Sequence, residues 1–533
     1  MGHTTASTDP APTRPVAYVG GQVHTTEGPA DALLVADGRI AAIGSIDEVL
    51  RGVGDHQLIR LEGAAVLPSF VDAHVHTIAV GQALTELDLS TARSRNEVLD
   101  LVADHAELSN APVIVGFNWS ESEWVDDQRP PSAEELDRAA GGRQVYLPRV
   151  DVHSGLVSGA LASAVTGLRS ATGWQDSGWI TRDAHHLVRD HVSALLGDQG
   201  RDGLVEAALD LAARRGITEV HENCGPHLGT WADVDRIHRI AEARGMTVRS
   251  YWGEPADGTL INKARMHGVA GLAGDLCADG AFGSRTAALS EPYADDPASS
   301  GFTYLSVDQL TEHLVACARA GLQGGFHCIG DRAIGDIATA CRRAAQTVGL
   351  TAFRASRPRL EHVELCHPAD RATLVDLGVT LSVQPDFDAQ WAGAGGMYER
   401  RLGRSRADAT NPIGSMVRAG ARVAFGSDAP VTALSAWRAV SGAMRHHQPS
   451  ERLSFDQALH CATVGGRRAG GGPGGTLAVG ERADFSVWPV ELTEAIGRAE
   501  ALTTDELDAE SVLTVAGGRA VHDMLGQDDL TSS

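Results

Sequence analysis

Two histidines separated by one residue end an apolar run, FVDAHVH, at positions 70–76. Alternate side chains of a β-strand project to the same face, so His74 and His76 would lie about 7 Å apart along one side of the strand. Such imidazoles can bind one divalent ion, and zinc is the expected metal because it accepts nitrogen and oxygen ligands in a small shell. The spacing therefore predicts a metal site at the end of this strand.

Three further candidate ligands each follow a β-type run and precede a glycine, a proline or a helix start. His327 ends GGFH, His362 ends RLEH and Asp428 lies in FGSD. In a parallel barrel the carboxyl ends of all strands share one face, where active sites form. A single histidine among the 22 of this chain is more often a packing or surface residue than a ligand, but the ordered set indicates a metal centre.

The elements around these residues alternate between short apolar runs and helical patterns, which is typical of βα units and a parallel sheet in an α/β fold. Enough strands are predicted to close a barrel of eight: FVDAHV near 70, ITEVHE near 217, TVRSYW near 247, GDLCADG near 274, QGGFHCIG near 323, RLEHVEL near 359, VTLSVQP near 379 and VAFGSDAP near 423.

The rest of the chain is predicted to form three additional parts. Residues 1–15 have no signal-peptide pattern and are predicted to be a disordered tail. Residues 16–67 and 474–533 contain short strands and glycine turns that together predict one composite β-sandwich. Residues 68–473 hold the barrel, and the interval from about 84 to 200 is too long for one βα connection, so it predicts an inserted subdomain over the barrel mouth.

Composition narrows the partners and the compartment. The chain has 45 Lys plus Arg against 69 Asp plus Glu, a formal charge of −24 that disfavours nucleic acid and anionic membranes and leaves a small molecule as the expected partner. Seven cysteines without a CxxC pair, and no apolar stretch of spanning length, predict a cytoplasmic protein. Arginine supplies nearly all of the positive charge, which we interpret as a bacterial, GC-rich signature.

Seven motifs occur in order along nearly the whole chain: LPSFVDAHVH, DGAFGSRTAAL (279–289), FHCIGDRAI (326–334), RLEHVE (359–364), SVQPDFDAQW (382–391), FGSDAPV (425–431) and GTLAVGERADFSV (475–487). In this order they resemble amidohydrolase family 3, in the branch that contains N-substituted formamide deformylases. The resemblance implies a distorted TIM (β/α)8 barrel with a composite β-sandwich. A homodimer is common in the superfamily.

The resemblance also implies roles for the ligand candidates. His74, His76, His327 and His362 resemble the metal ligands, and Asp428 resembles the aspartate that contacts the metal or its water and moves the proton. A metal-activated water would then cleave a C–N bond in an N-substituted formamide, amide or cyclic amide, and the aspartate would protonate the leaving amine.

One position departs from the family pattern. Many members carry a fourth-strand lysine whose carbamate bridges two metals, whereas this chain has Asp275 there. The single lysine, Lys263, lies in INKARMHG before that strand and is an unsuitable substitute. Asp275, or Glu222 in VHEN, could provide a carboxylate ligand, or either could be a polar residue packed beside the site. A centre with one ion and a centre with two ions are both compatible with the sequence.

Five other residues are weaker candidates. Asp279, Arg285, His153 and Trp119 are candidate substrate-binding residues, and Asp331 is a candidate acceptor that orients the histidine of HCIGD. Each of them could equally be structural.

Two other functions remain alternatives. A mononuclear zinc deaminase would act on a heteroaromatic amidine and release ammonia. A non-catalytic scaffold is also conceivable, but such relatives typically lack the paired histidines or the eighth-strand aspartate, and this chain retains both.

Overall fold

The computed structural model describes residues 14–25, 28–109, 111–124, 128–195 and 197–525. Most of the predicted tail, residues 1–15, and the last eight residues of the predicted segment 474–533 lie outside these ranges. Within them, the chain forms three β-sheets and their associated helices.

The central sheet is a parallel barrel whose eight strands are hydrogen-bonded in chain order. It closes where the His76 amide donates to the Ala429 carbonyl at 3.0 Å and the Asp428 amide donates to the His74 carbonyl at 2.8 Å. This confirms the predicted α/β barrel. Its strands are Phe70–Val75, Ile217–Cys224, Thr247–Trp252, Gly271–Leu272, Gln323–Cys328, Arg359–His362, Thr380–Val383 and Arg422–Phe425.

The fourth barrel strand differs from the prediction. It was expected at GDLCADG near 274 but spans only Gly271–Leu272, and the expected run continues as a loop. Gly274 has a φ of +68°, a left-handed conformation that ends an extended run. A Cβ at this position would lie 2.4 Å from the Asn223 side-chain oxygen, so the close approach also requires glycine. The loop carries Asp275 to the barrel mouth.

Helices follow the strands and cover the barrel. None of them, over the ranges that the structure describes, combines the length and apolarity needed to cross a lipid bilayer. The helices from the barrel region are Thr77–Thr85, Asp198–Arg214, Trp231–Arg244, Gly258–Met266, Val307–Ala320, Asp331–Val348, Leu350–Ala355, Pro368–Leu377, Pro385–Trp391, Met397–Leu402, Arg404–Ala407, Ile413–Arg418, Ala436–Met444, Phe455–His460 and Gly466–Ala469.

The second sheet combines strands from both ends of the chain, which fits the predicted sandwich. Gln57–Arg60 pairs in parallel with its central strand, Val16–Val23. Buried Trp488 of this sheet packs against Phe70 of the barrel, with ring centroids 6.1 Å apart. The other strands, in spatial order, are Arg519–Asp523, Leu513–Ala516, Phe485–Trp488, Ala65–Pro68, then Val16–Val23, Ala30–Ala36 and Arg39–Gly44.

The third sheet and its helices form an insertion after the first barrel strand. Its apolar core includes Trp119 and Trp124 on one face of the sheet. The insertion's loops reach the cavity above the barrel. The strands, in spatial order, are Trp179–Thr181, Ser154–Val157, Gln144–Pro148, Val113–Phe117 and Leu87–Asp88, and the helices are Arg95–Leu108, Ala133–Ala139, Gly159–Ala164 and Arg182–Ala194.

Candidate metal centre and substrate cavity

Two imidazoles and two carboxylates converge where the barrel closes. His74 Nε2 lies 3.4 Å from Asp275 Oδ1 and 3.2 Å from Asp428 Oδ1. His76 Nε2 lies 3.4 Å from Asp275 Oδ2 and 3.0 Å from Asp428 Oδ1. Ligands about 2.1 Å from a tetrahedral ion lie roughly 3.4 Å apart, so these four side chains have the spacing of a metal shell.

The unsatisfied atoms of this group also fit a cation. His74 Nε2 and Asp275 Oδ1 are buried and have no hydrogen-bond partner among the described residues. Burial opposes a charged His74, but the neighbouring carboxylates, Asp428 foremost, raise its pKa well above the usual value. Burial likewise opposes a charged Asp275, but the nearby imidazoles lower the pKa of its carboxyl well below the usual range. Concentrated negative charge beside two imidazoles, one of which has a free Nε2, suits a divalent cation.

Hydrogen bonds to Nδ1 orient three imidazoles. A histidine that donates from Nδ1 keeps the lone pair of Nε2 for a metal, and its acceptor fixes the ring. The pairs are His74 with Glu361 Oε2 at 2.9 Å, His76 with the Asn223 carbonyl at 2.9 Å and His362 with Gln384 Oε1 at 2.8 Å.

Glu361 is held by a fully buried arginine that sequence reasoning missed. Arg359 Nε donates to Glu361 Oε1 at 2.5 Å, and its guanidinium also donates to the Ala73 carbonyl on the first strand. Both side chains have no solvent exposure. Period-two alternation in RLEH places Arg359 and Glu361 on the same face of the strand, and this signal was available in the sequence.

His362 and His327 lie beside the first group. His362 offers a ligand atom within 4.8 Å of those of His74 and Asp428. The His327 ring centroid is 4.4 Å from that of His362. Among the described residues, however, no two other His, Cys, Asp or Glu side chains offer ligand atoms that lie within 4.8 Å both of a His327 ring nitrogen and of each other. His327 Nδ1 is buried and has no hydrogen-bond partner among the described residues. His362 and Asp428 have φ values of +69° and +56°, a strained conformation that is common at functional sites.

The two carboxylates proposed in place of the carbamate differ in position. Asp275 joins the metal-like group, whereas Glu222 Oε2 accepts hydrogen bonds from the Thr77 amide at 2.8 Å and the Thr77 hydroxyl at 2.5 Å. Glu222 therefore satisfies the start of the helix that follows the first strand. Lys263 lies over the Trp231 ring, 4.9 Å from its centroid, and takes no part in the group.

The structure does not place Asp331, the predicted orienting acceptor, against His327. Asp331 accepts from the Ser290 amide at 3.0 Å and from His367 Nε2 at 3.2 Å, so its carboxylate is used elsewhere. Asp279, expected to contact substrate, is instead fully buried, with Oδ1 3.9 Å from His327 Nδ1. Burial raises the pKa of Asp279 to about 7. Its carboxylate accepts hydrogen bonds from the backbone amides of Ala288, Ile329 and Gly330.

A cavity of about 300 Å³ opens above the cluster. His327, His362 and Asp428 contribute to its lining, and so does His153, whose ring centroid is 5.1 Å from that of His327. The insertion provides a polar wall, and the barrel loops provide an aromatic one. The polar wall contains Ser120, Ser122, Arg149 and Asp151, and the aromatic wall contains Phe282, Phe387, Trp391 and Tyr398.

Trp119 and Arg285, also predicted to bind substrate, do not line this cavity. Trp119 is 1% exposed, and its indole N–H donates to the Leu147 carbonyl at 3.2 Å within the core of the insertion. Arg285 Nη2 donates to Asp295 Oδ2 at 2.8 Å. In these positions the two side chains stabilise the insertion and a surface loop.

Comparisons with known proteins agree with this geometry. The Amidohydrolase family model matches residues 57–522. The chain is 26% identical to protein LONG AFTER FAR-RED 3 of Arabidopsis thaliana, over 92% of this chain and 88% of that protein. It is 25% identical to the N-substituted formamide deformylase of Arthrobacter pascens, over 86% of this chain and 90% of that protein.

A solved structure supports the same assignment at the level of the fold. An uncharacterized metal-dependent hydrolase from Pyrococcus furiosus superposes with a TM-score of 0.68 at 24% identity, over 89% of this chain and 98% of that one. The family match confirms the resemblance found in the sequence motifs. The chain therefore belongs to the amidohydrolase family and is a metal-dependent hydrolase of carbon–nitrogen bonds.

Proposed function

We propose that this protein hydrolyses an N-substituted formamide, an amide or a cyclic amide at a centre of one or two divalent ions, with zinc as the expected metal. The observation that carries the proposal is the convergence of His74, His76, Asp275 and Asp428 beside a cavity. The similarity to a deformylase of N-substituted formamides supports this substrate class.

Asp428 is placed to move the proton of the reaction. When bound, a divalent metal would polarise the substrate carbonyl and lower the pKa of water. Asp428 Oδ1 contacts both first-strand imidazoles, whereas Oδ2 receives no hydrogen bond from the described residues and the residue lines the cavity. Oδ2 can therefore take a proton from the attacking water and deliver it to the departing nitrogen.

Asp72 positions the two strand ends that carry this chemistry. Its Oδ1 accepts from the His74 amide at 3.1 Å and from the Ser427 amide at 3.0 Å. One buried carboxylate thus joins the first and eighth strands next to His74 and Asp428. A reacting constellation benefits from such rigid support because small displacements of the reacting atoms reduce the rate strongly.

Metal analysis and a substrate panel test the proposal. The purified protein would be assayed for bound metal, stripped with a chelator, reloaded with zinc, and tested on formamides, linear amides and cyclic amides. We expect bound metal, loss of hydrolysis on stripping and recovery on reloading. A protein that contains no metal and hydrolyses an amide equally well after His74→Ala would contradict the proposal. Ammonia release from a heteroaromatic amidine, without amide hydrolysis, would assign the deaminase alternative.

A further inference from the structure

The aromatic wall of the cavity begins at a candidate metal ligand. The Phe387 ring is parallel to the His362 imidazole, with an interplanar angle of 9° and a centroid separation of 5.9 Å. Trp391 lies 4.6 Å from Phe387, and Tyr398 lies 6.3 Å from Trp391, again between centroids. All three line the cavity, so an apolar surface runs outward from the reacting centre.

One carboxyl group interrupts this apolar wall. Glu364 is 3% exposed and lines the cavity. The Tyr398 hydroxyl donates to Glu364 Oε2, whereas Oε1 receives no hydrogen bond from the described residues. Oε1 is not among the fully buried atoms that lack a partner, so it is accessible from the cavity and can accept an N–H from a ligand.

The chemistry of an amide decides which end of the substrate fits this wall. A carbonyl oxygen has only lone pairs and would be repelled by Glu364 Oε1 when the carboxyl is ionised. The nitrogen of a secondary amide has an N–H to donate, and after cleavage the amine carries several. An apolar group on that nitrogen can pack on the aromatic rings, and an ammonium product gains attraction to their faces.

We infer that Phe387, Trp391, Tyr398 and Glu364 form the subsite for the leaving amine. The subsite selects amides that carry an N–H and a flat apolar substituent on nitrogen, and it disfavours tertiary amides. This inference rests on the proposed function and names its substrate class. Glu364 acts as a specificity residue that binds the nitrogen side, while the carbonyl points toward the metal ligands.

A binding experiment without turnover tests the subsite. The zinc-loaded protein would be titrated calorimetrically with 2-phenylethylammonium and with its N,N,N-trimethyl analogue, which keeps the ring and the charge but has no N–H. We would measure at about pH 9, which favours the ionised carboxylate of Glu364 and leaves an alkylammonium, with a pKa of about 10, still charged.

We expect the unsubstituted ammonium to bind about tenfold or more tightly, the effect of one charge-assisted hydrogen bond. Glu364→Met should remove this preference. Tyr398→Phe is the matched control because it breaks the same Tyr–Glu contact but leaves Glu364 in place, so the preference should persist. If Glu364→Met does not fold, Glu364→Gln should reduce the preference, because the amide is neutral. The inference is overturned if the unmodified protein binds both probes equally. It is also overturned if folded Glu364→Met keeps the preference for the unsubstituted ammonium, or if Glu364→Gln shows the same preference as the unmodified protein.

A kinetic arm separates this inference from the proposed function. The formamide of 2-phenylethylamine would be compared with its N-methyl derivative, a tertiary amide. We expect kcat/KM to favour the secondary formamide about tenfold or more, and Glu364→Met to narrow that ratio. Equal rates on both would overturn the subsite while supporting amide hydrolysis. Probe preference without hydrolysis of any amide would overturn the proposed function, and the four residues would then form an amine-binding site without a leaving-group role.

Discussion

The two halves of the histidine cluster differ in how firmly the protein holds them. In the first-strand half, His74 and His76 each have a buried acceptor at Nδ1, and each Nε2 lies within 3.4 Å of two carboxylates. In the other half, His362 has such an acceptor in Gln384, and His327 has no hydrogen-bond partner at Nδ1 among the described residues.

This difference identifies the first-strand half as the part of the cluster that is preorganised to bind a cation. Orienting partners and nearby carboxylates lower the cost of assembling a metal shell, because the ligands are in place before the ion arrives. We expect the first-strand half to be the high-affinity position, and any second ion, near His327, to bind more weakly.

The largest expected effect comes from removing one histidine from each half of the cluster and comparing the two variants. His74→Ala should lower kcat/KM by about 10³-fold or more and leave less than one metal per chain, because a central ligand is lost. His327→Ala should keep at least one ion per chain. Metal content after dialysis, with kcat/KM on the same samples, measures both. Complete metal loss in His327→Ala, with retention in His74→Ala, would reverse the assignment of the halves.

The next effect separates the two carboxylates considered for the missing lysine. Asp275→Ala should weaken metal binding by more than the roughly 100-fold typical of an outer partner, because its oxygens face both first-strand imidazoles. Glu222→Gln should keep the metal but lower the free energy of unfolding by about 2 kcal/mol, since Thr77 loses a charged acceptor. Chelator competition and urea unfolding measure these changes. Metal loss in Glu222→Gln would identify Glu222 as a ligand.

A smaller effect is expected from the orienting partners. Glu361→Gln should weaken metal binding about 10- to 100-fold, because the charged acceptor of His74 is replaced by a neutral one. Gln384→Leu, which removes the acceptor of His362, should weaken it less, because no negative charge is lost beside the ligands. Chelator competition compares the two variants. A larger loss in Gln384→Leu would indicate that the sixth-strand half dominates binding. Glu361→Gln should also lower the melting temperature, because Arg359 is left without its buried counter-charge.

The smallest effect is expected at the single lysine. Lys263→Met should leave metal content and kcat/KM unchanged and alter stability by about 1 kcal/mol, the order of one partly exposed cation–π contact. Metal analysis and thermal unfolding suffice as measurements. Loss of metal in this variant would revive a lysine-derived ligand and contradict the position of Lys263 over Trp231.

Some features of the site were predictable because their signals are local. The alternation in FVDAHVH placed both histidines on one strand face, and ligand candidates after apolar runs indicated a shared barrel face. The fourth strand was misplaced because a left-handed Gly274 ends the run, and apolar periodicity does not report backbone φ. Asp331 was predicted to orient His327 because it follows that histidine closely in the motif, but only the folded loops show that Asp331 binds Ser290 and that Asp279 is the carboxylate 3.9 Å from the ring nitrogen.

By itself, the sequence determined the barrel, the family and the types of ligand atom available at the carboxyl end of the barrel. These signals depend on strand periodicity and on motifs, and each of these is set by residues close together along the chain. The tertiary structure decided which of these ligand groups lie next to one another. Asp275 reaches the histidines because its strand stops after two residues, whereas Glu222 is drawn away by the two donors of Thr77. The free oxygen of Glu364 was also invisible in the sequence, because a missing hydrogen bond is a property of the assembled cavity.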